Sequence, residues 1–473
     1  MIAVYFIIAF VLAGLVYFVK KQTTAKAMII LFAFVQLCFT AYGFYATGKT
    51  ELDYFTYDSL GMIFLSLLSV IFCASIYHGF RYFRTRITPR FYIYHAALII
   101  LITSISAAYL ANDVTVVWVL VEATTLSVSV LIYHEKTRQA LEATWKYIFL
   151  CSVGIAFAYF GILFLGLSSK GGIEDFSFET LSLLAQNTDP MYLKVAFVFM
   201  LIGYSTKMEL FPMHTVGIDA NSVSPSPVAA LISTGLVNLG FLAIFRIYIA
   251  FSSSPIFGWM NNILILSGIL SIVVAAGYML KAQHNKRMLA YSTLENMGLV
   301  AIAIGLGGQG YYAAILLLIL HSLTKASLFF QIGQVSRALK TFLISESGEY
   351  MKRNPAGAVV LILGLFAILA IPPSGIFISE FLIIKTMIAK EYWAVMIITF
   401  LLLCCVIYAM STRFMHILFS KAKYEEKNFA ASKVNARESI TQYIFLAVVF
   451  FICFYQPQFL KDIINDSIAV LLK

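Results

Sequence analysis

Long apolar runs recur along this chain of 473 residues, and they constrain its fold more than any other feature of the sequence. An α-helix needs about 20 mainly apolar residues to cross the ~30 Å hydrocarbon core of a bilayer. Of the residues, 61% are hydrophobic and 12% are charged, against roughly a quarter charged in a soluble domain. The sequence therefore predicts an all-α integral membrane protein. We place about fourteen transmembrane helices, at approximately 1–19, 27–46, 57–79, 91–111, 113–133, 140–168, 190–212, 223–250, 258–281, 286–308, 311–336, 357–390, 392–420 and 439–458.

The connections between the apolar runs alternate in charge. Basic residues collect on one side, at Lys20, Lys21, Lys26, Arg81, Arg84, Arg86, Arg90, Lys136, Arg138, Lys281, Lys286, Arg287, Arg337, Lys340, Lys352, Arg353, Arg413, Lys421, Lys423, Lys427, Lys433 and Arg437. The opposite side carries Glu51, Asp53, Asp58, Asp113, Glu174, Asp175, Glu179 and Asp189. Because basic loops stay in the cytoplasm, we expect a multi-pass protein of the cell inner (plasma) membrane with both termini on the non-cytoplasmic side. This pattern accounts for the net charge of +10 without nucleic acid as a partner.

Two runs contain breaks. The seventh carries Lys207 and ends at Pro212, and the twelfth carries Pro372 and Pro373 followed by Gly375. Proline removes a backbone donor, and such interruptions occur in membrane helices that face protein or an internal cavity. Broken helices at matching positions are typical of inverted-repeat transporters. The sequence thus predicts one transmembrane domain over 1–473, with inverted five-helix repeats at about 91–250 and 258–420 and flanking helices at 1–79 and 439–458.

Five ionisable residues lie deep inside apolar runs: Glu122, Lys207, His321, Lys325 and Glu380. An ionisable side chain at mid-membrane is costly unless it is paired or hydrated, so such residues mark ion or proton pathways. His321 and Lys325 are four residues apart and share one helix face. A carboxylate and an ammonium in a medium of low dielectric change each other's affinity for protons. These five residues are therefore the predicted proton-translocation path, and the alternative is static ion pairs that only fix helix register.

Other polar residues are candidates for accessory roles. Glu209 follows Lys207 at the first break, where it either faces a cytoplasmic half-channel or is solvated at the helix end. Lys146 lies four residues after Glu142 at the start of the sixth run, a spacing more typical of an interfacial ion pair than of a conduit. Glu295 and Asn238 lie within the tenth and eighth runs.

Redox and metal chemistry have no motif in this chain. The six cysteines lie in apolar stretches and form neither a CxxC motif nor a cluster with histidine, which argues against zinc, iron–sulfur and disulfide chemistry. Gly305, Gly307 and Gly310 satisfy the GxGxxG pattern, but they lie between two membrane runs without a βαβ unit, which indicates a tight turn. We expect no cofactor and no catalytic centre in this chain.

Several motifs resemble one known family. The segments GYSTKMELFPMH, SPSPVAALIST, NKRMLAYSTLENMG, HSLTKASLFF and PPSGIFISEFL follow one another along the chain. Over about residues 55–420 the sequence resembles the antiporter-like proton-translocating subunits shared by respiratory complex I, Mrp-type cation/proton antiporters and energy-converting hydrogenases. The segment LEATWKYIFLCSVGIA, together with Glu295 and Asn238, is similar to component F of hydrogenase-4 and formate hydrogenlyase complexes.

The resemblance implies roles for the buried residues. Glu122 and Lys207 would form the charge pair of a first half-channel, Lys325 with His321 would continue a central hydrophilic axis, and Glu380 would exchange protons with the outside. Three positions depart from the family pattern. Asn238 stands where many members carry lysine, and Asn221 and Asn296 stand where members often carry histidine, so these side chains cannot hold a charge.

The implied function is that of a proton-translocating subunit of a redox-driven complex. Its partners would be other membrane subunits, the lipid bilayer and a peripheral redox module with iron–sulfur and hydrogenase-like subunits. One alternative is an Mrp-type sodium/proton antiporter subunit, because the same buried charges would serve it. Another is a proton-channel partner of a soluble enzyme, as in a bicarbonate-accumulation system. A scaffold without conduction does not account for five buried ionisable residues.

Overall fold

A computed structural model describes residues 1–19, 21–83, 90–168, 175–421 and 434–472, and this part of the chain is predominantly helical. Eleven of its helices are long and apolar enough to cross a membrane, which confirms an all-α, multi-span membrane protein. The topology residues that lie outside the described residues are Lys20, Arg84, Arg86, Glu174, Lys423, Lys427 and Lys433.

The chain divides into two compact units. The first comprises Met1–Leu231, Gly235–Asn262 and Ile463–Lys473, and the second comprises Ile232–Thr234 and Ile263–Asp462. The first unit contains α1 (Ile2–Phe18), α2 (Gln22–Tyr45), α3 (Ser59–Tyr82), α4 (Arg90–Leu110), α5 (Val114–Ile132), α6 (Arg138–Ser168), α7 (Phe178–Asn187), α8 (Pro190–Met208), α9 (Thr215–Val223), α10 (Ser226–Leu231) and α11 (Val237–Ala250). Two short antiparallel strands, β1 (Thr50–Glu51) and β2 (Phe55–Thr56), pair Glu51 with Phe55.

The second unit contains most of the remaining helices. They are α12 (Phe257–Met279), α13 (Asn285–Leu306), α14 (Gln309–Leu339), α15 (Tyr350–Arg353), α16 (Pro355–Ile368), α17 (Gly375–Ala389), α18 (Trp393–Phe419), α19 (Ile440–Phe454) and α20 (Gln458–Ile468). α12 begins in the first unit, and α20 ends there. Short 3₁₀ turns occupy Tyr133–Glu135, Ile344–Glu346, Ala436–Ser439 and Ala469–Leu471.

Polar residues at the ends of the apolar runs fix where several helices begin. The Asp113 carboxylate accepts the backbone N–H groups of Thr115 and Val116 at 2.7 and 3.0 Å, so it caps α5. Asp189 caps α8 in the same way, with Pro190 at the first helical position. Such caps satisfy amides that have no partner within the helix, and proline there loses no hydrogen bond.

Both predicted helix breaks are present. α8 ends at Met208 because Glu209 adopts a left-handed conformation with φ of 55°, and Pro212 follows before α9 begins at Thr215. The twelfth run divides into α16 and α17, and Pro372 and Pro373 lie in the segment between them. A left-handed residue ends an α-helix, and proline cannot supply the N–H that would continue it.

A π-helical segment, Ile232–Leu236, joins α10 to α11. The apolar pattern predicted one run over 223–250 and gave no sign of this change in helix type. The hydroxyl of Tyr109 donates a hydrogen bond to the backbone oxygen of Gly235 at 2.7 Å. A side chain that satisfies a main-chain carbonyl in this way supports an irregular turn within the membrane.

The glycine pattern near residue 307 forms a turn and not a nucleotide-binding loop. Gly307 and Gly308 have φ values of +69° and +60°, a conformation that favours glycine because it has no Cβ. They connect the end of α13 to the start of α14. The tight turn predicted for this segment is confirmed.

Candidate functional site

Lys207 is a buried ammonium in the last turn of α8, and its side chain is 2% exposed. Its Nζ donates to the hydroxyl of Thr125 on α5 at 2.9 Å and to the hydroxyl of Tyr147 on α6 at 3.0 Å. The ammonium also lies 5.0 Å from the centre of the Tyr147 ring. Three helices of the first unit therefore hold Lys207 through two neutral hydroxyl groups and a cation–π contact.

Glu122 lies on α5, about one helical turn before Thr125. Within the described residues it accepts a hydrogen bond from the Ser152 hydroxyl at 3.5 Å, and its Oε2 is buried without a partner. The carboxylate interacts electrostatically with Lys207. The structure thus places the predicted pair in one neighbourhood, but within the described residues the hydrogen bonds of the ammonium go to neutral side chains and not to the carboxylate.

Glu209 caps the end of α8 and is 1% exposed. The Asn221 side-chain amide donates to its Oε1 at 2.9 Å, and Asn221 is itself fully buried on α9. The carboxylate packs so closely against Gly217 that a Cβ there would lie 2.2 Å from Oε1. Of the two alternatives for Glu209, a solvated helix end is therefore wrong.

Lys146 behaves differently from Lys207. Its Nζ contacts Glu142 at 2.7 Å and Asp219 at 3.9 Å, and its side chain is 52% exposed. Lys146 and Glu142 therefore form an exposed ion pair at four-residue spacing on α6. Asn238, by contrast, is 1% exposed on α11.

Lys325 is the buried ammonium of the second unit, and it is fully inaccessible to solvent. From α14 its Nζ donates to the Ser292 hydroxyl and to the backbone oxygen of Leu289, both on α13. Like Lys207, it is held by neutral oxygen atoms.

His321 lies one turn before Lys325 on α14 and is also fully buried. Both ring nitrogens lack a hydrogen-bond partner within the described part of the chain, although the main chain of Ser233 lies close by. Buried ring nitrogens normally have partners, either from protein or from ordered water. The ring is therefore suited to bind water molecules along α14.

Glu295 lies closer to the predicted path than its accessory role implied. It is 2% exposed on α13, and the Asn296 amide donates to its Oε2 at 2.6 Å. It interacts electrostatically with Glu380 on α17 and with Lys325 on α14. Glu295, Lys325 and Glu380 thus lie on three helices that pack against one another, α13, α14 and α17.

Sequence reasoning missed the neutral partners of both lysines. Thr125, Tyr147 and Ser292 are ordinary polar residues within apolar runs, and none stands out by charge. A weak signal exists for two of them, because Thr125 lies three residues after Glu122 and Ser292 lies three residues before Glu295. Residues three apart share one helix face.

These observations define a multi-span membrane protein with buried charges in each of its two units. Residues 111–406 match the family model described as "NADH:quinone oxidoreductase/Mrp antiporter, TM", so the chain belongs to this family. The predicted family is confirmed.

Two relatives are similar in sequence to about two thirds or more of this chain. The chain is 32% identical over 350 residues to "Hydrogenase-4 component F homolog" of Methylacidiphilum infernorum (isolate V4), a match that covers 72% of this chain and 74% of the relative. It is 27% identical over 311 residues to "NAD(P)H-quinone oxidoreductase chain 4" of Gloeobacter violaceus (strain ATCC 29082 / PCC 7421), covering 65% of this chain and 58% of that one. The predicted resemblance to hydrogenase-4 component F is thereby confirmed.

The fold itself has a close counterpart among solved structures. The whole chain superposes on 97% of a chain of the membrane-bound sulfane sulfur reductase, an archaeal respiratory membrane complex, with a TM-score of 0.87. The sequence identity is 22%, so this likeness establishes the fold alone.

Proposed function

We propose that this chain is a proton-translocating membrane subunit of a redox-driven complex of the hydrogenase-4 or complex I type. Protons would move along Glu122, Lys207, His321, Lys325 and Glu380. The observation that carries the proposal is a buried lysine in each unit that interacts electrostatically with an acid, Lys207 (2% exposed) with Glu122 and Lys325 (0% exposed) with Glu295. A buried ammonium loses its proton readily, and nearby carboxylates offer it an acceptor.

The partners of the two lysines support proton transfer over a static role. A hydroxyl group both donates and accepts hydrogen bonds, so Thr125, Tyr147 and Ser292 can serve either protonation state of a lysine. Buried polar atoms without a protein partner normally bind water. In the described residues these include Glu122 Oε2, Asn221 Oδ1 and both nitrogens of His321, which supports a hydrated path beside the lysines.

The energy for transport would come from partner subunits. Moving one proton against 100 mV requires about 2.3 kcal/mol, and no redox motif is present in the sequence. The relatives are named as a component and a chain of larger oxidoreductases. We therefore expect other membrane subunits and a peripheral redox module with iron–sulfur and hydrogenase-like subunits as partners.

The proposal includes a fourteen-helix topology with two inverted repeats. Together with α1, α8 and the interrupted pair α16 and α17, the eleven long apolar helices would make fourteen crossings. In the repeats at about 91–250 and 258–420, the second helices are α5 and α13, which carry Glu122 and Glu295, and the fourth crossings are the broken ones. With the basic connections in the cytoplasm, both termini would lie outside the inner membrane.

The decisive test is the variant Glu122→Gln in proteoliposomes of the whole complex. Gln keeps the shape of the side chain but cannot bind a proton, so we expect proton pumping to be lost while electron transfer and assembly persist. Pumping is measured as acidification of the vesicle lumen with a pH-sensitive dye. The matched control is Glu142→Gln, which removes a carboxylate that is 64% exposed in a pair with Lys146 and should leave pumping unchanged. Full pumping by Glu122→Gln contradicts the assigned role.

A sodium/proton antiporter is the second candidate, because the matching family model includes the Mrp antiporters. An antiporter would move protons in exchange for sodium, whereas the first candidate would move them at the expense of electron transfer. Sodium-dependent pH changes in vesicles that contain no electron donor would favour the antiporter, and pumping that requires the donor would favour the redox-driven complex.

A further inference from the structure

Asn285, in the first turn of α13, carries a buried amide without a partner among the described residues. Its side chain is fully inaccessible to solvent, and neither its Oδ1 nor its Nδ2 makes a hydrogen bond within that part of the chain. Asparagine near a helix start commonly caps the helix, but the N-cap position of α13 belongs to His284. A buried amide without partners is costly, and such polar atoms normally bind ordered water.

Asn285 begins a polar stripe on a helix that is almost wholly buried. Ser292 and Asn296 lie seven and eleven residues further along α13, which is about two and three helical turns. The three side chains therefore share one face of the helix. Each of them is fully buried, so the stripe faces protein and not lipid or bulk water.

Lys325 contacts this stripe. From α14 its Nζ donates to the Ser292 hydroxyl and to the backbone oxygen of Leu289. Leu289 lies four residues after Asn285, and four residues advance an α-helix by about 6 Å. About two water molecules at ordinary hydrogen-bond distances bridge such a gap. Water held by Asn285 can therefore reach the ammonium through a short chain.

Unpaired polar atoms continue on the other side of Lys325. A two-glycine turn joins α13 to α14, so the two helices run antiparallel. His321, one turn before Lys325, thus lies further toward Asn296. The Oδ1 of Asn296 and both ring nitrogens of His321 are buried without a hydrogen-bond partner in the described part of the chain. Polar atoms suited to water therefore border Lys325 in both directions along α13.

The stripe opens toward the basic side of the protein. Gln283 and Arg287, two residues to either side of Asn285, are exposed to solvent. The N–H of Asn285 donates to the backbone oxygen of Phe342 at 2.9 Å. The half-buried Phe342 ring has its centre 4.3 Å from the Nζ of Lys286. Asn285 is therefore the first buried side chain of the stripe that water meets from the basic side.

From these contacts we infer that Asn285 holds ordered water in a hydrated route that links the basic side of the protein to Lys325. An amide both donates and accepts hydrogen bonds, so it orders the water without binding a proton itself. Each proton transfer along the route breaks one O–H bond and forms the next, and the neutral Lys325 amine accepts the last proton. Asn285 is then a positioning residue for Lys325. The inference deepens the proposed function and rests on it for its role in transport.

X-ray radiolysis footprinting of the whole complex in lipid nanodiscs tests the hydrated route. Radicals formed from bound water oxidise the side chains beside it, and methionine reacts readily. Met288 is fully buried and lies three residues after Asn285, on the same side of α13. The reference is Met200, which is fully buried against Gly161. We expect Met288 to be oxidised several-fold faster than Met200 in the wild type. Equal rates overturn the inference, and this comparison needs no variant.

Replacement of the amide tests its part in the route. Asn285→Leu keeps the approximate size of the side chain but offers no hydrogen bond. Oxidation of Met288 should then fall to the rate of Met200, and proton pumping should slow several-fold while electron transfer persists. Asn285→Ser keeps a polar group and should retain most of both. The control Asn262→Leu replaces an exposed asparagine on α12 and should change neither. Undiminished oxidation of Met288 in Asn285→Leu overturns the inference.

The footprinting result and the pumping result are independent. If Glu122→Gln abolishes pumping but Met288 is oxidised no faster than Met200, the proposed function stands and the hydrated route is wrong. If the oxidation of Met288 depends on Asn285 as expected while Glu122→Gln pumps normally, the hydrated route stands and the transport role of Glu122 is wrong.

Discussion

Arg246 makes contacts in the first unit with residues that are distant from it in sequence. From α11 its Nη2 donates to the Asp58 carboxylate and to the backbone oxygen of Tyr109, both at 2.8 Å, and its Nη1 donates to the backbone oxygen of Ala111. Asp58 in turn caps α3 by accepting the N–H of Gly61 at 3.2 Å. One guanidinium therefore joins the start of α3 and the end of α4 to α11.

Removal of this guanidinium should destabilise the protein. Arg246→Ala leaves the Asp58 carboxylate and two carbonyl groups without their donor, so we expect the free energy of unfolding to fall by about 2–3 kcal/mol. Arg246→Lys should recover part of this loss, since an ammonium cannot reproduce the planar fork of donors. The measurement is thermal unfolding in detergent. Lys352→Ala, which breaks an ion pair whose lysine is 78% exposed, should cost less than ~0.5 kcal/mol, and an equal loss in both variants would contradict the role of Arg246.

His284 gives the stability of the protein a specific pH dependence. It precedes α13, and its ring stacks on Phe342 with 5.4 Å between centres. Burial, followed by the charges of Lys286 and Arg287, lowers the pKa of His284 from 6.5 to about 4. The folded state thus favours the neutral ring. The contribution of the neutral His284 ring to the free energy of unfolding is complete above pH 6.5 and is lost as the pH falls toward 4.

Replacement of this histidine should flatten the acid side of the stability curve. In His284→Gln we expect the melting temperature to decline less between pH 6.5 and 4 than in the wild type, because no ring needs to bind a proton on unfolding. The measurement is a series of melting curves in buffered detergent across that interval. Parallel curves for the two proteins would show that another group causes the acid sensitivity.

At the scale of elements, α6 and α8 approach each other through glycine. A Cβ on Gly203 of α8 would lie 2.6 Å from the backbone oxygen of Gly154 and 2.7 Å from the Cβ of Ala158, both on α6. Small residues at such crossings let helix backbones pack closely in a membrane. The contact matters for the site because α6 carries Tyr147 and α8 carries Lys207.

Gly203→Ala should therefore push the two helices apart. We expect a loss of about 1–3 kcal/mol in the free energy of unfolding, typical of an overpacked contact. Gly277→Ala is the matched control, since a Cβ at Gly277 on α12 meets nothing within 4 Å. A better helix former at that position should leave stability unchanged or raise it by up to ~1 kcal/mol. Unfolding by urea or heat distinguishes the two variants, and equal stabilities would rule out a close crossing.

For the whole molecule, local signals were enough to predict the class and most membrane helices. The length of an apolar run can be read from a single segment of the sequence. The prolines that interrupt the seventh and twelfth runs can be read in the same way. The contacts of the site depend instead on residues distant in sequence. Lys207 reaches Thr125 and Tyr147 across 82 and 60 positions, and no pattern in one segment encodes such a meeting. The electrostatic interaction of Glu295 with Glu380 and the burial of Glu209 were not predicted for the same reason.

The hydroxyl partners of Lys207 have a consequence for how this molecule can be observed. When the ammonium gives up its proton, the amine gains one lone pair and can accept from one of the two hydroxyl groups that previously accepted from it, while it still donates to the other. One hydrogen bond reverses direction while the nitrogen and both oxygens keep their positions. Density maps of the two charge states would then superpose at this residue, so the step belongs to methods that detect hydrogen, such as neutron scattering or isotope-edited spectroscopy.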